Sequence, residues 1–222
     1  MRDLERSFAL ETANTIALGM ASVLAQILGN VDESIKIDEF LVARDPVNPF
    51  GHLQLGFNYL LADRLDEAIA SFRTALALNP EMVEVHFRIG LALLQKGEFE
   101  AALAEMQKEP FKGYRLVGLA MVDHPLWQAA GSEAALAELI ENYAQEASQE
   151  IAWALALHGE NDRAFEWLEK AVQQSQPSRW FIARDNALVS LHDDPRWLPL
   201  LEKIGSSPAQ LDAIEFNVTL PE

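Results

Sequence analysis

The 222-residue chain contains no cysteine. Disulfides and thiolate metal centres are therefore excluded, and the redox compartment leaves no mark on the sequence. Basic residues are scarce: 17 Lys and Arg stand against 34 Asp and Glu, a formal net charge of −17. That field repels polyanions, so neither nucleic acid nor an anionic membrane surface is expected as a partner. Long apolar runs are also missing. The most apolar early stretch, residues 15–29, falls short of the ~20 residues that a membrane span needs, and it carries Ser22 and Gln26. The opening MRDLERS mixes acids with bases and leads into no apolar core, unlike a secretory leader, so a cytoplasmic location is expected. No Gly-x-Ser-x-Gly elbow, glycine-rich phosphate loop, metal-binding Asp pair or basic recognition helix is legible. Accordingly no catalytic centre, metal site or cofactor is expected.

What the chain does have is apolar content and rhythm. Half of its residues are apolar, enough to bury a sizeable core. VDESIKIDEFLVARDP, residues 31–46, is echoed by LDEAIASFRTALALNP, residues 65–80, 34 positions later. The period continues: Gly56 and Gly90 are 34 apart, as are Phe57 and Leu91, and Ala68 and Ala102. A fixed period of this length marks stacked helical hairpins, because one hairpin cannot bury its apolar face alone. Gly56 or Gly90 lets two helices approach, Ala68 and Ala75 do the same from the other side, and Phe72 fills the gap. Asp45-Pro46 and Asn79-Pro80 stop helices, since the residue before proline avoids the helical region.

Leu55-Gly56, Tyr59, Ala68, Phe72, Ala75 and Pro80 together resemble the tetratricopeptide repeat. The resemblance implies an all-α, right-handed superhelix of about five hairpins spanning 15–48, 49–82, 83–112, 113–144 and 145–178, after a lead-in from residue 1. The first copy is degenerate, with Ser34 in place of Ala68 and Asp38 in place of Phe72. In the fifth copy Ala164, Leu168 and Ala171 restore the small-large-small spacing. Capping helices are expected at 179–192 and 195–204, closing a segment that runs to residue 205. Residues 206–222 read as a short helix and an extended tail. Over about residues 113–205, Ala164–Glu169 and the run Asp194-Pro195-Arg196-Trp197 resemble the ends of tetratricopeptide tails in bacterial regulators carrying adenylate cyclase, winged-helix or TolB-like segments. That likeness implies the regulatory tail of a signalling protein.

Such arrays present surfaces to proteins or peptides. The inner face should carry Phe50, Leu53, Phe57 and Leu61, then Glu84, Phe87, Leu91 and Gln95. It is mostly apolar, and it lacks the basic clamp that holds terminal carboxylates in chaperone-binding relatives. Two readings stay open: a groove for an apolar or amphipathic segment, led by Phe50, Leu53, Phe57, Phe87 and Leu91, or a face buried by curvature or a neighbouring helix. In the tail, Ile214, Phe216, Val218 and Leu220 alternate with polar residues, the period of a strand with one apolar face. It could dock on its own chain, pair two copies as a homodimer, or lie loose. The five histidines, His52, His86, His124, His158 and His192, follow steps of 34, 38, 34 and 34. At ~8–10 Å between stacked helices they are too far apart to share an ion. Acid pairs such as Asp66-Glu67, Glu98/Glu100 and Asp193-Asp194 suit helix starts. Trp127, Trp153, Trp167, Trp180 and Trp197 suit packing and end-capping. An enzyme or a ligand-dependent regulator would instead need convergent polar groups and an acid or histidine with a displaced titration.

Overall fold

A computed structural model describes residues 15–122, 129–175 and 177–220. The described residues are helical and form no strand. Ten helices come in consecutive antiparallel pairs: α1 (Thr15–Leu28) with α2 (Val31–Arg44), α3 (Pro49–Leu61) with α4 (Leu65–Leu78), α5 (Val85–Gln95) with α6 (Phe99–Gln107), α7 (Lys112–Met121) with α8 (Ala129–Tyr143), and α9 (Ser148–Leu157) with α10 (Asn161–Gln173). Two 3-10 segments, Pro177–Arg184 and Asn186–Leu191, precede α11 (Trp197–Ile204) and the single turn α12 (Pro208–Leu211). The expected helix at 179–192 is thus replaced by 3-10 turns broken at Asp185, whose side chain caps the second by accepting from Ala187 N–H at 3.0 Å.

Local sequence explains the boundaries. Asn48 caps α3 by accepting from Phe50 N–H at 3.1 Å and Gly51 N–H at 3.4 Å, with Pro49 in the first turn. Asp66 and Glu67 lie in the first turn of α4, where carboxylates complement the helix dipole. The turn inside each of the first three hairpins contains one left-handed residue, Gly29, Asp63 and Gly97, again 34 apart. Glycine takes that conformation freely, and aspartate tolerates it.

The chain divides into two compact units. Unit 1 holds residues 1–80 together with 208–222, and unit 2 holds 81–207. In unit 1 the α3–α4 pair closes as the repeat demands: Phe72, Ala68 and Ala75 are fully buried, and a Cβ added at Gly56 would stand 2.6 Å from the Phe72 ring. Helix pair α1–α2 solves the same contact differently. The positions 34 before Gly56 and Phe72 hold Ser22 and Asp38, both buried. The Asn58 amide donates to Asp38 Oδ2 and, at 3.3 Å, to Ser22 Oγ, while the Gln26 amide donates to Asn58 Oδ1. The copy that looks degenerate in sequence therefore contains a buried polar layer across α1, α2 and α3. Desolvation pushes Asp38 up to about 7, against the opposing pull of hydrogen bonds from Ser22 and Asn58.

The tail belongs to unit 1. Phe216, Val218 and Leu220, together with Phe40 and Leu41, pack against the cluster of Leu18, Ala21 and Ile37 of α1 and α2. Residues 215–220 have no regular secondary structure and pair with no strand. Ile214 is different: it sits in the bend after α12, is exposed, and does not join that contact.

Unit 2 has one large core running through α5 to α11. Met106 occupies the place of Phe72, and a Cβ on Gly90 or Gly118 would meet it at 2.5 or 2.7 Å. Ala164, Leu168 and Ala171 are fully buried. The 194–197 motif is structural: Asp194 accepts from Arg196 backbone N–H at 2.9 Å and pairs with its guanidinium at 2.7 Å. That guanidinium lies over the Phe165 ring at 4.2 Å, fastening the start of α11 to α10.

Candidate functional site

On α3, the spacing of Phe50, Leu53, Phe57 and Leu61 puts them along one side of the helix. Phe50 is 68% exposed, and the other three are half-buried. On α5, Leu91 is half-buried. Phe87, expected on the same inner face, is 0% exposed and stacks on Tyr114 with ring centroids 5.7 Å apart. It is a core residue of unit 2 and offers no surface to a partner. Its neighbour Arg88 is half-buried, and its Nε donates to Glu84 Oε1 at 2.9 Å.

The histidines have separate local partners. His52 Nε2 meets Pro46 O at 3.0 Å, His86 Nδ1 meets Glu105 at 2.8 Å, and His192 stacks on Trp197 at 4.6 Å. Burial lowers the His192 pKa. His124 and Trp127 lie outside the described residues. Among the described residues no cluster of His, Asp and Glu could hold a metal ion.

Ser132 and His158 meet at 3.0 Å on the rim of an open pocket of about 660 Å³, lined also by Glu133, Leu136, Ile140, Glu160 and Arg163. The pair superficially suits nucleophilic chemistry. Its hydrogen bonding runs the wrong way: Ser132 Oγ–H donates to Ala120 O at 2.7 Å, so His158 Nε2–H donates to the serine. An imidazole that is already the donor takes no proton from that hydroxyl.

Unit 2 also assembles a polar cluster that sequence reading missed. It draws on the first helices of three successive hairpins, α5, α7 and α9, which contact one another through α7. Glu84 opens α5 with a left-handed backbone, φ 76°. A non-glycine residue pays ~1 kcal/mol or more for that conformation. Glu109 holds it there. Its carboxylate is 0% exposed and accepts from Glu84 N–H at 2.9 Å, Phe87 N–H at 3.3 Å and Phe111 N–H at 3.3 Å. Glu109→Ala should strand these donors and cost about 3 kcal/mol, with Glu109→Gln losing roughly half as much. Urea unfolding followed by tryptophan fluorescence tests this, and a loss under about 1 kcal/mol would contradict it.

With α5 so anchored, Arg88 and Glu84 sit within electrostatic reach of Glu150 on α9 and of Tyr114 on α7, and Arg88 also within reach of Asp185. Desolvation raises Glu150 to about 7 and Asp185 to about 6, with Arg88 opposing the shift in both. Tyr114 is pushed up to about 12 by desolvation and by the charge of Glu84. Both residues are half-buried as a whole, while the Glu150 Oε2 atom is buried without a hydrogen-bond partner. Around them Gln149 is 0% exposed and both of its amide atoms lack a hydrogen-bond partner; Trp153 is 7% exposed and its indole N–H lacks one too. Both face the Asp185 carboxylate closely enough to hold its titration down, without forming a hydrogen bond of good geometry.

Paired antiparallel helices in tandem, with small-large-small packing inside each pair, define an all-α helical-repeat protein. The fold is of the tetratricopeptide-repeat type, and residues 53–113 match the tetratricopeptide repeat family model. Three solved structures resemble the chain. TTC0263, a thermophilic TPR protein in Thermus thermophilus, is 18% identical, covers 79% of this chain and 100% of its own, and has a TM-score of 0.59. A tetratricopeptide repeat protein from Parabacteroides merdae is 18% identical, with coverage of 91% and 83% and a TM-score of 0.56. The pilF protein of Pseudomonas aeruginosa is 15% identical, with coverage of 89% and 95% and a TM-score of 0.53. These identities establish likeness of fold. No curated protein matches the sequence.

Proposed function

We propose that the protein is an interaction scaffold whose helical hairpins hold a peptide or a segment of a partner protein. The observation that carries this reading is the apolar side of α3, where Phe50 is 68% exposed in line with Leu53, Phe57 and Leu61. A tetratricopeptide-type fold supports it, since such arrays work by presenting surfaces. In unit 2, Leu91 on α5 is half-buried and packs against that unit's own core. The role is binding and not catalysis, a reading supported by the reversed Ser132–His158 hydrogen bond. The partner is a protein or peptide carrying apolar side chains, and the resemblance over about residues 113–205 supports a reading of the chain as the sensing region of a signalling protein. A homodimer built through the tail is less favoured, because Phe216, Val218 and Leu220 already pack on their own chain.

The test compares the parent with Phe50→Glu/Phe57→Glu as baits in affinity capture, each first checked for unchanged helical signal. Proteins held by the parent and lost by the variant are the expected result. The same proteins held by both would sink the groove.

A further inference from the structure

The apolar patch of unit 1, built on Leu18, Ala21 and Ile37 with Phe40 and Leu41 beside it, is covered by residues from the far end of the sequence. The cover is light. Phe216, Val218 and Leu220 are half-buried, and Glu215, Asn217 and Thr219 between them are exposed. Residues 215–220 make no hydrogen bond, by backbone or side chain, to any described residue. Apolar contact alone holds them, and such contact has no directional component. The segment is also hinged. Leu211 is buried and fixes the turn α12, after which Asp212, Ala213, Ile214 and Glu215 are all exposed. Asp212 N–H donates to Pro208 O at 2.9 Å and Ile214 N–H to Leu211 O at 3.0 Å, and beyond them the backbone is unbonded. An anchor, an exposed connector and a weakly held latch thus follow in order. Beneath the latch, α1, α2 and α3 are tied together by the hydrogen bonds of Ser22, Gln26, Asp38 and Asn58, so the patch keeps its shape when the tail leaves.

We propose that the α1–α2 patch is a docking surface for a partner-protein segment with apolar residues at alternate positions, and that the tail is its built-in competitor. The tail shows what the patch accepts: three apolar side chains two residues apart, uncharged Asn217 and Thr219 between them, and no demand on the guest's backbone. A segment held on a short connector meets its site at an effective concentration of ~mM. A free segment of the same pattern therefore meets an occupied patch, and its apparent affinity falls by the fraction of molecules in which the tail is away. The device sets a threshold, since a guest enters only by binding better than the tail. Two observations favour a partner over the tail of a second copy. Each tail reaches its own patch through one short connector, and two copies at −17 each repel one another. This surface is distinct from the side of α3 in the scaffold reading and does not depend on it.

The probe is the tail's own sequence supplied in trans, Ac-Glu-Phe-Asn-Val-Thr-Leu-NH2. It is titrated into the parent and into Phe216→Ser/Val218→Ser/Leu220→Ser, both ¹³C-labelled at isoleucine methyls. The Ile37 peak, assigned through Ile37→Val, is the reporter. The peptide should bind the triple variant about tenfold or more tightly than the parent, and return its Ile37 peak to the parent position. Ac-Glu-Asn-Thr-Val-Phe-Leu-NH2, of the same composition without the alternation, should bind the variant roughly tenfold more weakly. Equal binding to parent and variant, equal binding of the two peptides, or an unmoved Ile37 peak overturns the inference and leaves the tail a structural strap. If the triple variant loses helical signal, Val218→Ser carries the same comparison, with a gain of about threefold expected and equal binding again overturning. A parent whose mass by light scattering doubles as concentration rises would assign the patch to a second copy's tail and overturn the partner. Adding Phe50→Glu/Phe57→Glu to the triple variant should leave peptide affinity unchanged. Loss there would place the peptide on α3, overturning this site and supporting that groove. Unchanged affinity, with the same proteins captured by parent and α3 variant, would remove the groove and leave the patch standing.

Discussion

Phe72→Ala should cost unit 1 about 3–5 kcal/mol, a large share of the ~5–15 kcal/mol that holds a typical domain together. The ring is fully buried and fills the space that Gly56 leaves open on α3. Removing it leaves a cavity between two helices that small residues already hold close. Gly56→Ala should also destabilise, by about 1–3 kcal/mol, because its methyl would enter the ring at 2.6 Å. The two losses should not add. In the double variant the new methyl occupies part of the vacated space, so the combined cost should fall below their sum by at least about 1 kcal/mol. The tryptophans all lie between residues 127 and 197, in unit 2, whereas far-UV circular dichroism sees both units. Urea unfolding followed by dichroism is thus the readout for unit 1. Strict additivity would mean that the ring and the glycine do not share one space.

The second large effect concerns acidity. Asp38 is fully buried and titrates near 7 against an ordinary 3.8. A carboxyl whose folded pKa is raised favours the folded state while it is protonated. The stability it contributes is full below about pH 4 and is lost as pH rises through about 7. At about 1.36 kcal/mol per unit, that swing is up to about 4 kcal/mol. Asp38→Asn keeps the shape, accepts from Asn58 through its carbonyl, and carries no charge. At pH 8 the variant should equal or exceed the parent, and by pH 4.5 the advantage should have vanished. Parallel stability profiles from pH 4.5 to 8 would show that Asp38 is charged at little cost.

These two residues occupy the same place in neighbouring hairpins, and the contrast shows what the primary structure can reveal. The helical hairpins were legible because stacking repeats one geometric demand. Gly56 and Ala68 return 34 residues on as Gly90 and Ala102, and helix ends are written in Asn48, Asp45-Pro46 and Asn79-Pro80. The apolar side of α3 follows from the same period. Phe87 was misplaced because a position one residue away faces a different neighbour, and periodicity alone cannot tell an inner face from a core. The tail was read as strand-like from its alternation. It forms no strand and packs through Phe216, Val218 and Leu220, because a strand needs a ladder partner that the sequence does not specify.

What the residues determined by themselves is the all-α hairpin array, since local period, turn chemistry and small-residue spacing act over short distances. Tertiary structure alone decided the polar features. Ser22, Gln26, Asp38 and Asn58 come from three helices, and Glu84, Arg88, Glu109, Tyr114, Gln149, Glu150, Trp153 and Asp185 from well-separated places in the chain. Nothing in the local sequence marks either set as one cluster. Their titration, burial and unmet hydrogen bonds are set by which groups the packing brings within a few ångströms, and that depends on separations no local pattern encodes.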